Sequence, residues 1–146
     1  MPRTIIGLDI SEDTVTAVQV KSLMQGYQVT GCAAVPITEA GGISVALRAV
    51  CDEIDQKGTA CNSVIEDGKV SFRSLTMPFT DLKKIRQTLV FELETMTASS
   101  VDQHLVDFID VARTGAETDL IAASVNRDYI AEHLANFEAV GAEPEI

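Results

Sequence analysis

The residues nearest the start that could do chemistry are Asp9 and the polar link after it. Asp9 stands inside the apolar run Ile5-Ile6-Gly7-Leu8-Asp9-Ile10, and Ser11, Glu12, Asp13 and Thr14 follow before a second β-prone run, Val15 to Val20. Two such runs around a short polar link read as a hairpin. An aspartate inside the run is expected to be half-buried, which is costly unless the carboxylate is hydrogen-bonded or meets a cation. Two readings fit: a hairpin whose Asp9 is satisfied by local amides, or a site that uses the carboxylate.

A second concentration of charge lies in the middle of the chain. Lys83, Lys84 and Arg86 crowd the first turns of a helix whose Glu92 and Glu94 come late. The helix dipole favours the opposite order, at about 0.3–1 kcal/mol per misplaced charge. Three of the 11 basic residues of an acidic chain therefore sit together. A contact surface for an acidic partner explains them, and so does a solvated helix face. Cys32, Cys51 and Cys61 show no metal-ligand spacing and read as reduced thiols, with Cys51 in the core. His104 and His133 are isolated in sequence, as structural or exposed histidines are. No catalytic constellation and no metal site is expected.

The elements that must position these groups follow in order. After the hairpin, Tyr27 to Val35 reads as a third strand, closed by Pro36. A helix from about Gly42 to Lys57 carries Ile43, Leu47, Val50, Cys51 and Ile54 at helical spacing, with Gly58 as its stop. Asn62 to Glu66 is a short strand. Asp67-Gly68 signals a hairpin turn into Lys69 to Met77. Thr80 is the expected N-cap of the next helix, which runs to about Thr97 with Leu82, Ile85, Leu89, Leu93 and Met96 as its stripe. Strands over Leu105–Ala112 and Asp119–Val125 flank a turn near Gly115. Asn126 caps a last helix to about Val140, with Ile130, Leu134 and Phe137 inward and Gly141 as its stop. No strand is expected beyond Pro144.

Composition bounds what the chain can do. Its 146 residues are 46% hydrophobic and 23% charged, with a formal net charge of −11, so one domain or two small lobes should fold. The acidic balance argues against nucleic acid as the main partner. No apolar run is long enough to span a membrane, so direct insertion is not expected.

The opening hairpin resembles that of the actin-like ATPase superfamily, in which an apolar strand, Asp, any residue and Gly lead to a second strand. There the Asp acts through Mg²⁺ and water, and the turn amides hold phosphate. Here Ser11 stands at the Gly position, and Glu12 and Asp13 follow. A side chain narrows the approach to phosphate, and two carboxylates repel it. The later order is Val70-Ser-Phe-Arg73-Ser-Leu75-Thr-Met77-Pro78, an amphipathic helix, Val106-Asp107-Phe108, Leu120-Ile121-Ala122-Ala123-Ser124, and a helix ending at Gly141. Over essentially the whole chain this resembles the PilM group of type IV pili and the related GspL cytoplasmic domain of type II secretion.

That resemblance implies an α/β fold: an actin-like (ribonuclease H-like) first lobe with an inserted βαββα subdomain. Residues 1–66 would begin the lobe, 67–141 would be the insertion, and 142–146 would start the return. It implies a cytoplasmic scaffold and not an enzyme, peripheral to the inner membrane through its partners. Those partners would be a PilN-like or other inner-membrane platform protein and a hexameric assembly ATPase. Asp9 and Ser11 would be a degenerate phosphate or Mg²⁺ site, and Lys83, Lys84 and Arg86 the partner contact. No cofactor is expected in this stretch, since the second phosphate motif and the adenosine-binding glycines belong to the group's later half. ATP and Mg²⁺ stay open for a longer protein. The alternative is an actin-like ATP-binding protein, divisome FtsA-like or kinase-like.

Overall fold

Ile6 and Leu8 in the first strand and Val15 and Ala17 in the second are buried at a spacing of two, one face of each strand. A computed structural model describes residues 3–54, 60–96 and 100–145. Strand β1 (Thr4–Ile10) pairs antiparallel with β2 (Thr14–Leu23), and β2 with β3 (Gly26–Pro36). The chain then makes a one-turn helix, α1 (Ile37–Ala40), absent from the sequence reading, and α2 (Ile43–Glu53). Between them Gly41 and Gly42 take φ of 89° and 138°, a backbone that favours glycine and separates the helices. The expected helix stop at Lys57 and Gly58 lies outside the described residues. Strand β4 (Ala60–Val64) returns parallel to β1.

The next strand does not pair with β4, so the Asp67-Gly68 hairpin is not formed. Residues 67–69 make a single 3₁₀ turn in which Asp67 Oδ1 accepts the Gly68 N–H at 2.8 Å. Strand β5 (Val70–Met77) instead joins a second sheet. Helix α3 (Leu82–Glu94) follows, then β6 (His104–Thr114) and β7 (Glu117–Asn126), which pair across a tight turn at Gly115 (φ 63°). Helix α4 (Arg127–Glu138) starts where Asn126 Oδ1 accepts the Asp128 N–H at 2.7 Å. A strand was not expected after it, yet β8 (Pro144–Glu145) pairs parallel with β4. Proline is allowed there because it opens the strand.

The chain divides into two units: residues up to Glu66 together with Glu132 onward, and Asp67–Ala131. The first has a five-stranded mixed sheet, ordered β3-β2-β1-β4-β8. Ile6, Leu8, Val15 and Ala17 pack there against Ala46, Leu47 and Val50 of α2 and against Phe137 of α4. The second has a three-stranded antiparallel sheet, β5-β7-β6, with Met77, Leu120 and Ala122 packed on Ile85, Leu89 and Leu93 of α3. The division inside α4 differs from the expected end of the insertion at Gly141. Its physical reason is burial: Phe137 and Ala142 belong to the first core.

Candidate functional site

Asp9 is exposed, not half-buried. Ile6 and Leu8 take the core side of β1, and the pleat sends Gly7 and Asp9 to the other face. The apolar run had concealed this alternation. Gly7 and Asp9, Thr16 and Val18 of β2, and Asn62 and Val64 of β4 line an open groove of about 310 Å³. The Asp9 carboxylate has no hydrogen-bond or ion-pair partner among the described residues. The same residues contain no group of three or more potential metal ligands.

The adjoining turn is closed on itself. Ser11 N–H donates to the Thr14 carbonyl at 3.0 Å, and the Ser11 hydroxyl donates to the same carbonyl at 2.9 Å. The Thr14 N–H returns to Ser11 Oγ at 3.3 Å, and the Thr14 hydroxyl donates to Asp13 Oδ1 at 3.0 Å. Two turn amides are thus engaged internally, and the Glu12 and Asp13 carboxylates stand exposed beside them. Engaged amides and neighbouring like charge both weaken a turn as a seat for phosphate.

The basic cluster opens α3, but its N-cap is Asp81 and not Thr80. Asp81 Oδ1 accepts from the Lys83 and Lys84 amides at 2.8 and 3.1 Å. That carboxylate offsets the cations the dipole disfavours. Lys84 Nζ lies 4.5 Å from the centre of the Phe79 ring. Arg86 sits 5.2 Å from the Phe108 ring centre and pairs with Asp107 at 3.0 Å. Local contacts therefore account for part of the cluster. Exposed pairs of this kind contribute little, about 0–1 kcal/mol.

Sequence spacing missed one buried polar pair. His133 of α4 and Ser63 of β4 are both buried, and a 2.8 Å hydrogen bond joins Ser63 Oγ to His133 Nε2. The imidazole also lies 5.0 Å from the Phe137 ring, tilted 56°. Burial lowers the His133 pKa below its ordinary 6.5. The helical period was the available signal: His133 lies three after Ile130 and four before Phe137, on their buried stripe. Burial also pushes the Cys51 thiol up to about 11, helped by nearby Cys61 and Asp52 and opposed by Arg48. Such a thiol stays protonated and unreactive at neutral pH.

No protein-family model matches the chain, and no curated protein matches it. Solved structures do. One is a PilM–PilN type IV pilus biogenesis complex, at 16% identity and a TM-score of 0.84, covering 97% of this chain and 46% of that one. Another is the cytoplasmic domain of EpsL, an inner-membrane component of the type II secretion system of Vibrio cholerae. It matches at 15% identity and a TM-score of 0.70, covering 97% of this chain and 55% of that one. The chain thus has the actin-like α/β fold anticipated from its sequence. Within that class its likeness is to the PilM/GspL-type group. It spans about half the length of the solved structures it matches.

Proposed function

We propose that this chain is the first lobe of a cytoplasmic scaffold in a type IV pilus or type II secretion assembly platform. It would hold a segment of an inner-membrane partner of the PilN kind and communicate with a hexameric assembly ATPase. The observation that carries this reading is the match of both units, over 97% of the chain, to a PilM–PilN complex. No helix among the described residues is long and apolar enough to cross a membrane, which is compatible with attachment through partners. The self-closed Ser11–Thr14 turn supports a role in holding proteins over one in turning over nucleotide.

The partner-facing side of the second unit would be the opening of α3. Lys83 and Lys84 are exposed there, beside Arg86, whose charge Asp107 partly offsets. Lys83→Glu with Lys84→Glu is expected to weaken capture of the assembly ATPase by the protein in a pull-down, with the circular dichroism spectrum unchanged. The loss should shrink as salt rises, since exposed charges are screened over about 8 Å at physiological ionic strength. Wild-type capture by a normally folded double variant at low salt would reduce the cluster to a solvated face.

A second reading, an actin-like ATP-binding protein, draws on the open Asp9 carboxylate in its groove. Calorimetry separates the two. The scaffold reading expects no saturable ATP·Mg²⁺ binding tighter than about 10 μM, roughly −7 kcal/mol. Because Asp9 is exposed and unpaired, Asp9→Ala should change stability by no more than about 0.5 kcal/mol. Micromolar ATP binding that Asp9→Ala abolishes would favour the second reading.

A further inference from the structure

Among the described residues there are three long sheet edges, β3, β5 and β6, and one of them differs from the others. In the second unit, β6 carries Asp107, Asp110 and Arg113 and is bulged between Asp110 and Ala112. Asp107 Oδ1 folds back to accept the Phe108 N–H at 2.9 Å. On the other edge, Arg73 of β5 donates to the Phe72 carbonyl at 3.3 Å. Charge, bulges and self-capping are the usual means of stopping a sheet from adding strands. Strand β3, the long edge of the first unit, has no charged residue from Gly26 to Pro36. Its one irregularity lies opposite Gln19 and Val20, where Thr30 is left over and its hydroxyl donates to Gln19 Oε1 at 2.7 Å. Beyond that bulge Gly31 to Val35 runs regularly, with small side chains.

The ladder phase shows which backbone groups are free there. Ser22 N–H donates to the Arg3 carbonyl and Ser11 N–H to the Thr14 carbonyl, so the even-numbered residues of β2 bond to β1. Val15, Ala17 and Gln19 then bond to β3, at Val35, Ala33 and Gly31. The Ile37 N–H donating to the Asp13 carbonyl continues the same phase. Cys32 and Ala34 therefore aim their N–H and C=O groups away from the sheet. Their side chains lie on the open face with Val18 and Val29, the latter 63% exposed. At the Pro36 end of the edge stand Glu12, Asp13 and Glu39, all exposed.

From these we infer that the Gly31–Val35 edge of β3 is a strand-addition site for an extended segment of a partner polypeptide. The segment is uncharged where it pairs and basic at the end that meets Pro36. Only an extended backbone satisfies alternating outward donors and acceptors, and the uncharged edge sets no barrier to it. A second copy of the chain is disfavoured as the occupant, because each copy carries a net charge of −11 and the same acidic end.

The probe is a blocked synthetic peptide of alternating threonine and valine with two lysines at one end. The readout is amide hydrogen exchange of the 146-residue protein. At about 1 mM peptide and a dissociation constant near 0.1 mM, the outward amides of Cys32 and Ala34 should exchange roughly tenfold more slowly. The Ala33 and Val35 amides, already paired to β2, should change little. Ala34→Pro removes an outward N–H that makes no bond within the sheet, and Ala34→Lys puts a charge on the edge. Both should abolish the protection with an unchanged circular dichroism spectrum, and two variants guard against one failing to fold. No protection at Cys32 and Ala34, or equal protection in either folded variant, overturns the inference. Protection that appears without peptide and rises with protein concentration also overturns it, by making the occupant a second copy.

Discussion

Replacing Phe137 by alanine is expected to remove a large share of the stability of the first unit. The ring is 0% exposed and is among the largest fully buried side chains, packed with Ile6, Leu8 and Leu47 in one core. Truncating a buried phenylalanine costs about 3–5 kcal/mol, through lost transfer energy and the cavity left behind. At roughly 0.05–0.15 kcal/mol per residue, a unit of this size has about 4–12 kcal/mol in total. Urea unfolding followed by circular dichroism measures the loss, and hydrogen exchange locates it. Amides of β1 and β2 should lose protection, while Leu120 and Ala122 of the second core keep theirs. Loss confined to Leu120 and Ala122 would instead return the C-terminal half of α4 to the insertion.

Acid is the second lever, and it acts through His133. The unfolded chain takes up a proton there near the ordinary 6.5, whereas the buried imidazole takes it up only at lower pH. The contribution is therefore complete above about pH 6.5 and shrinks as pH falls through the window down to the folded value. Each unit of separation corresponds to about 1.4 kcal/mol. Urea midpoints at pH 8 and pH 5.5 should differ more for the wild type than for His133→Gln, which cannot take the charge. Ser63→Ala should cost about 1–3 kcal/mol at pH 8, because it removes a hydrogen-bond partner from a buried imidazole. Equal pH sensitivity in wild type and His133→Gln would mean that other groups carry the acid response.

Local signals were readable where a short-range rule governs them. Leu47, Val50 and Cys51 at helical spacing placed the buried face of α2, and Asn126 started α4. What misled was local strength without knowledge of partners. Asp67-Gly68 is a good hairpin turn, but β4 finds β1 and β5 finds β7, so the turn joins two sheets instead. Thr80 and Asp81 are both acceptable caps, and the carboxylate won by reaching two amides. The Ser63–His133 bond joins residues 70 apart, a separation at which no spacing rule operates. For the candidate site, the Ser11 departure was visible at once. The exposure of Asp9 depended on which face of β1 the helices would cover.

The division of the chain also sets an order of events during synthesis. Residues 67–131 are continuous, so the second unit has all its parts before the last turns of α4 leave the ribosome. The first unit waits. Its opening hairpin emerges before the second unit, but β4 must close on β1 across more than fifty residues, and β8 on β4 across about eighty more. Distant pairings of this kind are slow, because loop entropy is lost before any contact compensates. Through that interval Ile6, Leu8 and Val15 lack Phe137. The first unit is thus the part of the nascent chain most exposed to misassembly, and a chaperone binding the opening hairpin would act in that interval.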